Sequence, residues 1–198
     1  MKAESTTAFK PRIKRSQRGF SLIECMISMV ILTIGLISLL GVFGIAMATT
    51  QTSQENNTAK QLANEAMEGI LTARETSNVT WTQINNTGSG GIFLPGFQPI
   101  YNAGLDGIIG TADDAASGFQ TLELPGPNGI FSNNCPAAGP DTCLPLTNFR
   151  RQIQILPVVQ GGTTVANLRQ IIITIQYTTP QINIPKQYVL STFISPYR

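Results

Sequence analysis

Residues 20–48 form an apolar stretch that reads FSLIECMISMVILTIGLISLLGVFGIAMA. Glu24 is the one charged residue in it. As a helix that rises about 1.5 Å per residue, the stretch would be roughly 43 Å long. The hydrocarbon layer of a bilayer is only about 30 Å thick. The sequence therefore predicts a helix that crosses a membrane once and extends beyond it.

The charges of the chain are distributed unevenly around this stretch. The first 18 residues contain six basic residues and one acidic residue, whereas no Lys or Arg occurs between Arg74 and Arg150. Basic segments next to a spanning helix stay on the cytoplasmic side of the membrane. We therefore expect a cytoplasmic N terminus in a single-pass protein of the inner membrane, with everything after Ala48 outside the cytoplasm.

Two other interpretations of the apolar stretch stay open. A secretory signal peptide has an apolar region of about 7–15 residues before an A-x-A-like cleavage site. Residues 46–48 read AMA and fit such a site, but the preceding run is about twice too long. A plain membrane anchor is the second alternative. It leaves Glu24 unexplained unless the side chain snorkels to the interface, because a carboxylate at the bilayer centre costs about 2.5 kcal/mol or more.

A positively charged partner for Glu24 is available one helical turn earlier in the sequence. Cleavage of the Gly19–Phe20 bond would free an α-amine on Phe20, and such an amine is a cation at neutral pH. Within one chain the amine and Glu24 are close enough to interact. Between chains staggered along a bundle, the same two charges would set the register, as buried polar groups do in coiled coils.

Residues 19–24, GFSLIE, follow a basic leader and begin an apolar run, and they resemble the class III signal of type IV prepilins. The resemblance implies cleavage after Gly19 by the prepilin peptidase and N-methylation of Phe20. It also implies that Glu24 pairs with the Phe20 amine of a neighbouring subunit in a fibre. Residues 34–41, IGLISLLG, are similar to the V-type minor pilins.

The helix is predicted to continue beyond the membrane. Residues 51–75 are more polar but keep an apolar stripe at spacings of three and four, and no Pro interrupts residues 20–76. We expect the lower half of this helix to pack in the core of a fibre and the upper half to pack on a sheet. The stripe of the upper half consists of Ala59, Leu62, Ala63, Ala66, Met67 and Ile70.

Three segments near the C terminus have the composition of β-strands. Residues 151–159, 168–177 and 187–194 are rich in Ile, Val, Thr and aromatic residues. Short connections that contain Gly or Pro favour an antiparallel meander, and a sheet on the upper helix makes an α+β fold. The predicted organisation is a leader (1–19), the membrane and assembly half of the helix (20–48), its upper half (49–76), a loop-rich region (77–148) and an antiparallel sheet (149–198).

Two cysteines in the loop-rich region are close in sequence. Outside the cytoplasm, Cys135 and Cys143 would form a disulfide that closes a short loop. A ring of this size stabilises a fold by about 2–3 kcal/mol. A reduced pair or a metal site is the alternative, but the chain has no His, and the remaining cysteine, Cys25, lies in the apolar stretch.

Residues 102–114 read NAGLDGIIGTADD and indicate a cation site. The carboxylates of Asp106, Asp113 and Asp114, with flexible glycines, suit Ca²⁺, which takes six to eight oxygen ligands. We expect no cationic side chain near the three aspartates. The segment is similar to Asp-Gly-x-x-Gly-Thr-x-Asp-Asp loops of some pilin-like proteins, but it is not an EF-hand loop. A solvated hairpin with Asp-Gly turn chemistry is the alternative.

The sequence predicts a minor pilin-like subunit of a type IV pilus that resides in the inner membrane as a precursor and then in an extracellular pilus or a periplasmic pseudopilus. Its expected partners are the prepilin peptidase and other pilin subunits, and calcium is the one cofactor indicated. The alternatives are a type II secretion pseudopilin and a membrane-anchored adhesive or binding domain that does not polymerise. An enzyme is disfavoured because the chain has no His, no nucleophile–base pair and no phosphate loop. The net charge of +2 does not indicate nucleic-acid binding.

Overall fold

The computed structural model describes residues 19–123, 143–179 and 182–197. Most of the predicted leader (residues 1–18) and Cys135 therefore lie outside the described residues. The chain divides into two compact units, Met1–Met47 and Ala48–Arg198.

The described part of the first unit is helical, and its apolar side chains are exposed. Helix α1 spans Leu22–Glu75, and every large hydrophobic side chain from Phe20 to Met47 is at least 54% exposed. The most apolar 18-residue window of α1 has a mean hydropathy of 2.5, so the helix is long and apolar enough to cross a membrane. An exposed apolar surface of this extent marks a site of contact with lipid or with other protein surfaces.

Hydroxyl groups in this apolar part of α1 bond to the helix itself. The Ser28 hydroxyl donates to the Glu24 carbonyl at 2.7 Å, and the Ser38 hydroxyl donates to the Ile34 carbonyl at 2.9 Å. Bonds to the carbonyl four residues earlier satisfy the hydroxyl protons without water. These polar side chains are therefore compatible with a lipid environment.

In the second unit, α1 buries one stripe of its surface. All six residues of the predicted stripe are buried, and Ala73 extends the stripe by about one turn. The stripe belongs to one hydrophobic cluster with side chains of the C-terminal sheet. Most of its members are alanines, and small side chains let the sheet approach the helix closely. The buried residues of α1 are Ala59, Leu62, Ala63, Ala66, Met67, Ile70 and Ala73.

Six strands follow the helix in the described residues, and they form two antiparallel sheets. The larger sheet has the strand order β1-β4-β5-β6, and the smaller sheet pairs β2 with β3. The strands are β1 (Gln98–Pro99), β2 (Thr121–Glu123), β3 (Cys143–Pro145), β4 (Phe149–Gln160), β5 (Thr163–Thr179) and β6 (Ile182–Ile194).

A two-residue turn joins β4 to β5. Gln160 pairs with Thr163, and Gly161 and Gly162 between them have φ angles of +59° and +81°. A tight hairpin turn with positive φ at both central residues requires glycine, Asn or Asp, because other side chains strain the backbone there. This Gly-Gly pair therefore fixes the register of the longest strand pair in the sheet.

The central strand β5 supplies the middle of the core. Ile171, Ile173 and Ile175 are fully buried and alternate along the strand. Ile173 pairs with Ile153 of β4, and Ile171 pairs with Ile155. Because alternate residues of a strand lie on one face, these isoleucines face the helix stripe in one cluster.

The α+β architecture and the antiparallel order β4-β5-β6 confirm the fold class predicted from the sequence. The strands are longer than the sequence predicts. Pro185 lies inside β6, and Pro157 precedes an irregularity in the β4 register. Proline, which lacks an N–H donor, is tolerated in edge strands and at bulges, and β6 is an edge strand among the described residues.

Candidate functional site

The predicted processing site lies immediately before α1. Gly19 and Phe20 are exposed, and the chain becomes helical only at Leu22. The Phe20 side chain is 82% exposed. A peptidase needs an accessible, extended peptide bond, and the non-helical chain between Gly19 and Phe20 fits that requirement.

Glu24 lies in the first turn of α1 and is exposed. Its main-chain N–H donates to the Ser21 carbonyl at 3.0 Å. A carboxylate in the first turn is favoured by the positive end of the helix dipole. Within the described part of the chain, the Glu24 carboxylate has no ion-pair partner; the pair recorded there is Arg74–Glu75, at 3.8 Å.

The three predicted calcium ligands lie together. One carboxylate oxygen from each of Asp106, Asp113 and Asp114 falls within 4.8 Å of the others. Calcium–oxygen distances are about 2.3–2.6 Å, so two ligands of one ion lie at most about 5 Å apart. The separation of the carboxylates therefore fits a single ion. Asp106 is exposed, Asp113 half-buried and Asp114 buried.

Asp114 is held by main-chain amides of its own loop. Its Oδ1 accepts from the Gly104 N–H at 3.1 Å, and its Oδ2 accepts from the Gly110 N–H at 2.6 Å. The side chain is only 4% exposed. Desolvation by this burial raises the pKa of Asp114, although the two amides lower it. Oδ1 also lies 3.5 Å from the Thr111 hydroxyl, whereas Oδ2 keeps a further lone pair for another donor or a cation.

The pKa of Asp113 is lowered, whereas that of Asp114 is raised. The Thr111 hydroxyl donates to Oδ1 of Asp113 at 2.6 Å, and the Asp106 N–H donates to its Oδ2 at 3.2 Å. The hydroxyl, and then the amide, lower the pKa of Asp113 below its ordinary value. Asp113 is therefore ionised over the whole physiological range and is the stronger candidate for a cation ligand.

Two glycines make room for this arrangement. A Cβ on Gly104 would lie 2.2 Å from Oδ2 of Asp113, inside any allowed contact. Gly110 has a φ of +95°, and a Cβ there would lie 2.4 Å from the Cδ1 atom of Ile153. The glycines in the loop therefore let the backbone approach the aspartates and β4.

The prediction that no cationic side chain lies near the three aspartates is wrong, because Arg151 interacts with Asp114. Arg151 comes from β4, is 4% exposed, and interacts electrostatically with Asp114 and Glu65. Burial lowers the pKa of Arg151 to about 10, while the two carboxylates raise it. The sequence contained a signal for this burial, because Arg151 has the same strand parity as Ile153 and Ile155, which are buried.

Cys143 begins β3 and is 6% exposed. Its predicted partner, Cys135, lies outside the described residues, so the pairing stays a prediction. Cys25 is a free, exposed thiol in the apolar part of α1.

Comparison with known protein families gives one match. Residues 14–40 match the family model described as the prokaryotic N-terminal methylation motif. The matched segment contains the Gly19–Phe20 bond, Glu24 and the first part of the apolar helix. No curated protein and no solved structure matches the chain significantly. The motif implies processing by the prepilin peptidase, and together with the apolar N-terminal helix it supports a type IV pilin-like or pseudopilin-like protein.

Proposed function

We propose that the chain is a minor pilin-like structural subunit of a type IV pilus, processed after Gly19 and assembled through the apolar part of α1. The observation that carries the proposal is the exposed apolar surface between Phe20 and Met47, with the single carboxylate of Glu24 at its start, inside the methylation motif. Pilin-like proteins are structural rather than enzymatic, and the same role is proposed for this chain.

The proposed mechanism is a transfer of the helix from lipid to protein. In the precursor, α1 anchors the chain in the inner membrane, with the basic leader in the cytoplasm. Cleavage removes the leader and exposes the Phe20 amine, which is then N-methylated. In the fibre, neighbouring helices replace lipid around the apolar surface. The amine of one subunit pairs with Glu24 of the next, because an unpaired carboxylate in an apolar bundle is costly.

Assembly into a filament distinguishes this proposal from its alternatives. A type II secretion pseudopilin would use the same helix and the same charge pair but remain in the periplasm. A membrane-anchored adhesive domain would never polymerise. The similarity of residues 34–41 to V-type minor pilins favours the pilus. Detection of the chain in filaments sheared from the cell surface supports a pilin, whereas its restriction to the periplasm supports a pseudopilin.

The charge pair is tested with a Glu24→Gln variant, which keeps the shape of the side chain and removes its charge. We expect normal cleavage of the precursor but at least a tenfold loss from the sheared filament fraction, which corresponds to about 1.4 kcal/mol of lost pairing. Glu68→Gln is the matched control, because Glu68 is exposed on the upper part of the same helix. Equal incorporation of Glu24→Gln and wild type would remove the charge-pair mechanism.

We also propose that Asp106, Asp113 and Asp114 bind calcium. The proximity of the three carboxylates supports this, although Arg151 reduces the negative charge that a cation experiences at Asp114. Calcium that binds the folded state must raise the melting temperature relative to chelator. Asp106→Asn should reduce this rise, because it removes one of the three negative charges at the site. Asp106 is exposed, so the change should leave the fold intact, and Glu68→Gln should keep the rise. An unchanged melting temperature of the wild type with calcium would refute the site.

A further inference from the structure

A small cavity lies between the Asp-rich loop (residues 102–114), residues 94–101 and β4. Its volume is about 40 Å³, which is space for about three waters at roughly 10–15 Å³ each. It is too small for a whole ring or a large side chain, but it accommodates a single hydroxymethyl group. Its polar wall is formed by Gln98, Tyr101, Thr111, Asp114 and Arg151.

Arg151 brings an unused hydrogen-bond donor to this wall. Its side chain is 4% exposed, and its Nη1 is buried with no hydrogen-bond partner in the part of the chain that the structure describes. A buried donor without an acceptor costs about 1–3 kcal/mol. Because Arg151 lines the cavity, a ligand oxygen within hydrogen-bond distance of Nη1 would recover this free energy.

The charges around the cavity select a neutral ligand. Asp114 lies in the same wall, and Glu65 also interacts with Arg151. The two carboxylates outnumber the single guanidinium, so an anion is repelled, and the guanidinium in the wall disfavours a cation inside the cavity. A hydroxyl group fits both partners: it accepts from Nη1 of Arg151 and donates to a free lone pair of Asp114.

An aromatic pair extends outward from the cavity wall. Tyr101 lines the cavity and stacks on Phe119, with ring centroids 5.1 Å apart. Phe119 remains 48% exposed. The flat apolar surface suits the apolar face of a ring. The small polar cavity suits a hydroxyl-bearing substituent at the edge of that ring.

We propose that this cavity is a binding site for a neutral sugar. A hydroxymethyl group enters the cavity and bonds to Arg151 and Asp114, and the C–H face of the pyranose ring lies on the Tyr101–Phe119 pair. The site is independent of the filament proposal, since it uses none of the residues 20–48 of the apolar part of α1. It shares Asp114 with the proposed calcium site, so calcium and the sugar would compete for this carboxylate.

The test is saturation-transfer NMR on the full chain in a detergent without a sugar headgroup, with neutral hexoses and their oligomers as ligands. We expect transfer to at least one neutral sugar. Phe119→Ser should weaken its affinity by about three- to tenfold, as for loss of an aromatic contact. Arg151→Met should abolish the transfer, with the melting temperature as a check of folding. Phe193→Ser is the matched control, because Phe193 is 60% exposed on β6 and lies outside the cavity.

Three results would overturn the proposal. The first is the absence of transfer to any neutral sugar. The second is an affinity that does not change in Phe119→Ser, a rim variant that should fold even if Arg151→Met does not. The third is transfer only to acetate, to an acidic sugar or to a short peptide, which would assign the cavity to a different class of ligand.

Discussion

The guanidinium carbon of Arg169 lies 4.2 Å from the centroid of the Trp81 ring. The same guanidinium donates through Nη1 to the main-chain carbonyls of Trp81 and Ile84. Its pKa is lowered by burial. Arg169 of β5 therefore connects the segment that follows α1 to the sheet.

Arg169→Met should lower the free energy of unfolding by about 2–3 kcal/mol, because it removes a cation–π contact and two charge-assisted hydrogen bonds. Trp81 is the only tryptophan of the chain, so its fluorescence follows unfolding directly. Arg150→Met is the control: Arg150 is exposed on β4, and its loss should change stability by less than about 0.5 kcal/mol. A similar loss of stability in the two variants would contradict this role of Arg169.

Asn86 joins the same segment to β4. Its Nδ2 donates to the Ile153 carbonyl at 2.8 Å, and its Oδ1 accepts from the Ile155 N–H at 2.9 Å. Asn86→Ala leaves both main-chain groups without this partner, and we expect a loss of about 2–3 kcal/mol in denaturant unfolding. Among the described residues, the side chain of the neighbouring Asn85 makes a single long hydrogen bond, from Nδ2 to the Ser89 carbonyl at 3.4 Å. If Asn85→Ala destabilises the fold as much as Asn86→Ala does, this account of Asn86 is wrong.

The Asp-rich loop should respond to acid. The pKa of Asp113 is lowered from 3.8 in the folded state, mainly by the Thr111 hydroxyl. The stability that this carboxylate contributes is therefore present above pH 3.8 and is lost as the pH falls below 3.8 through the folded pKa. Thr111→Val should raise the pKa of Asp113 and weaken this acid dependence.

Carboxyl NMR titration measures that pKa directly. Thr164→Val, an exposed change in the β4–β5 hairpin, should leave it unchanged. An Asp113 pKa that is the same in wild type and Thr111→Val would show that the hydroxyl is not the cause. The same titration should give Asp114 a pKa above its ordinary value, because burial of the side chain raises that pKa.

The Cys135–Cys143 pairing predicts a distinct pattern of alkylation. In the denatured, non-reduced protein, alkylation should label Cys25 alone, and after reduction it should label all three cysteines. The double variant Cys135→Ser with Cys143→Ser should lose about 2–3 kcal/mol of stability. Labelling of all three cysteines before reduction would refute the disulfide.

Periodicity in the sequence accounts for the regular elements. The stripe from Ala59 to Ile70 is a repeating local signal, and the structure buries each of its six members. The β-rich composition of residues 168–177 likewise marks the centre of β5. The ends of the strands were less predictable, because Pro185 reads as a strand breaker unless the edge position of β6 is known.

Contacts between distant segments account for what the sequence did not predict. The type of ligand in the Asp-rich loop is visible in the sequence, but the approach of Arg151 to Asp114 depends on how β4 packs on that loop. The bonds of Asn86 to Ile153 and Ile155 are similarly non-local. No local pattern encodes such pairs, although strand parity indicates that Arg151 is buried.

The intact mass and N-terminal sequence of the mature protein, isolated from its native cells, test whether the chain is processed as a prepilin. We expect a chain that begins at Phe20, lacks residues 1–19 and carries one methyl group on the Phe20 amine. A chain that retains the leader, or one that begins at Thr49 after cleavage by a signal peptidase, would contradict this expectation.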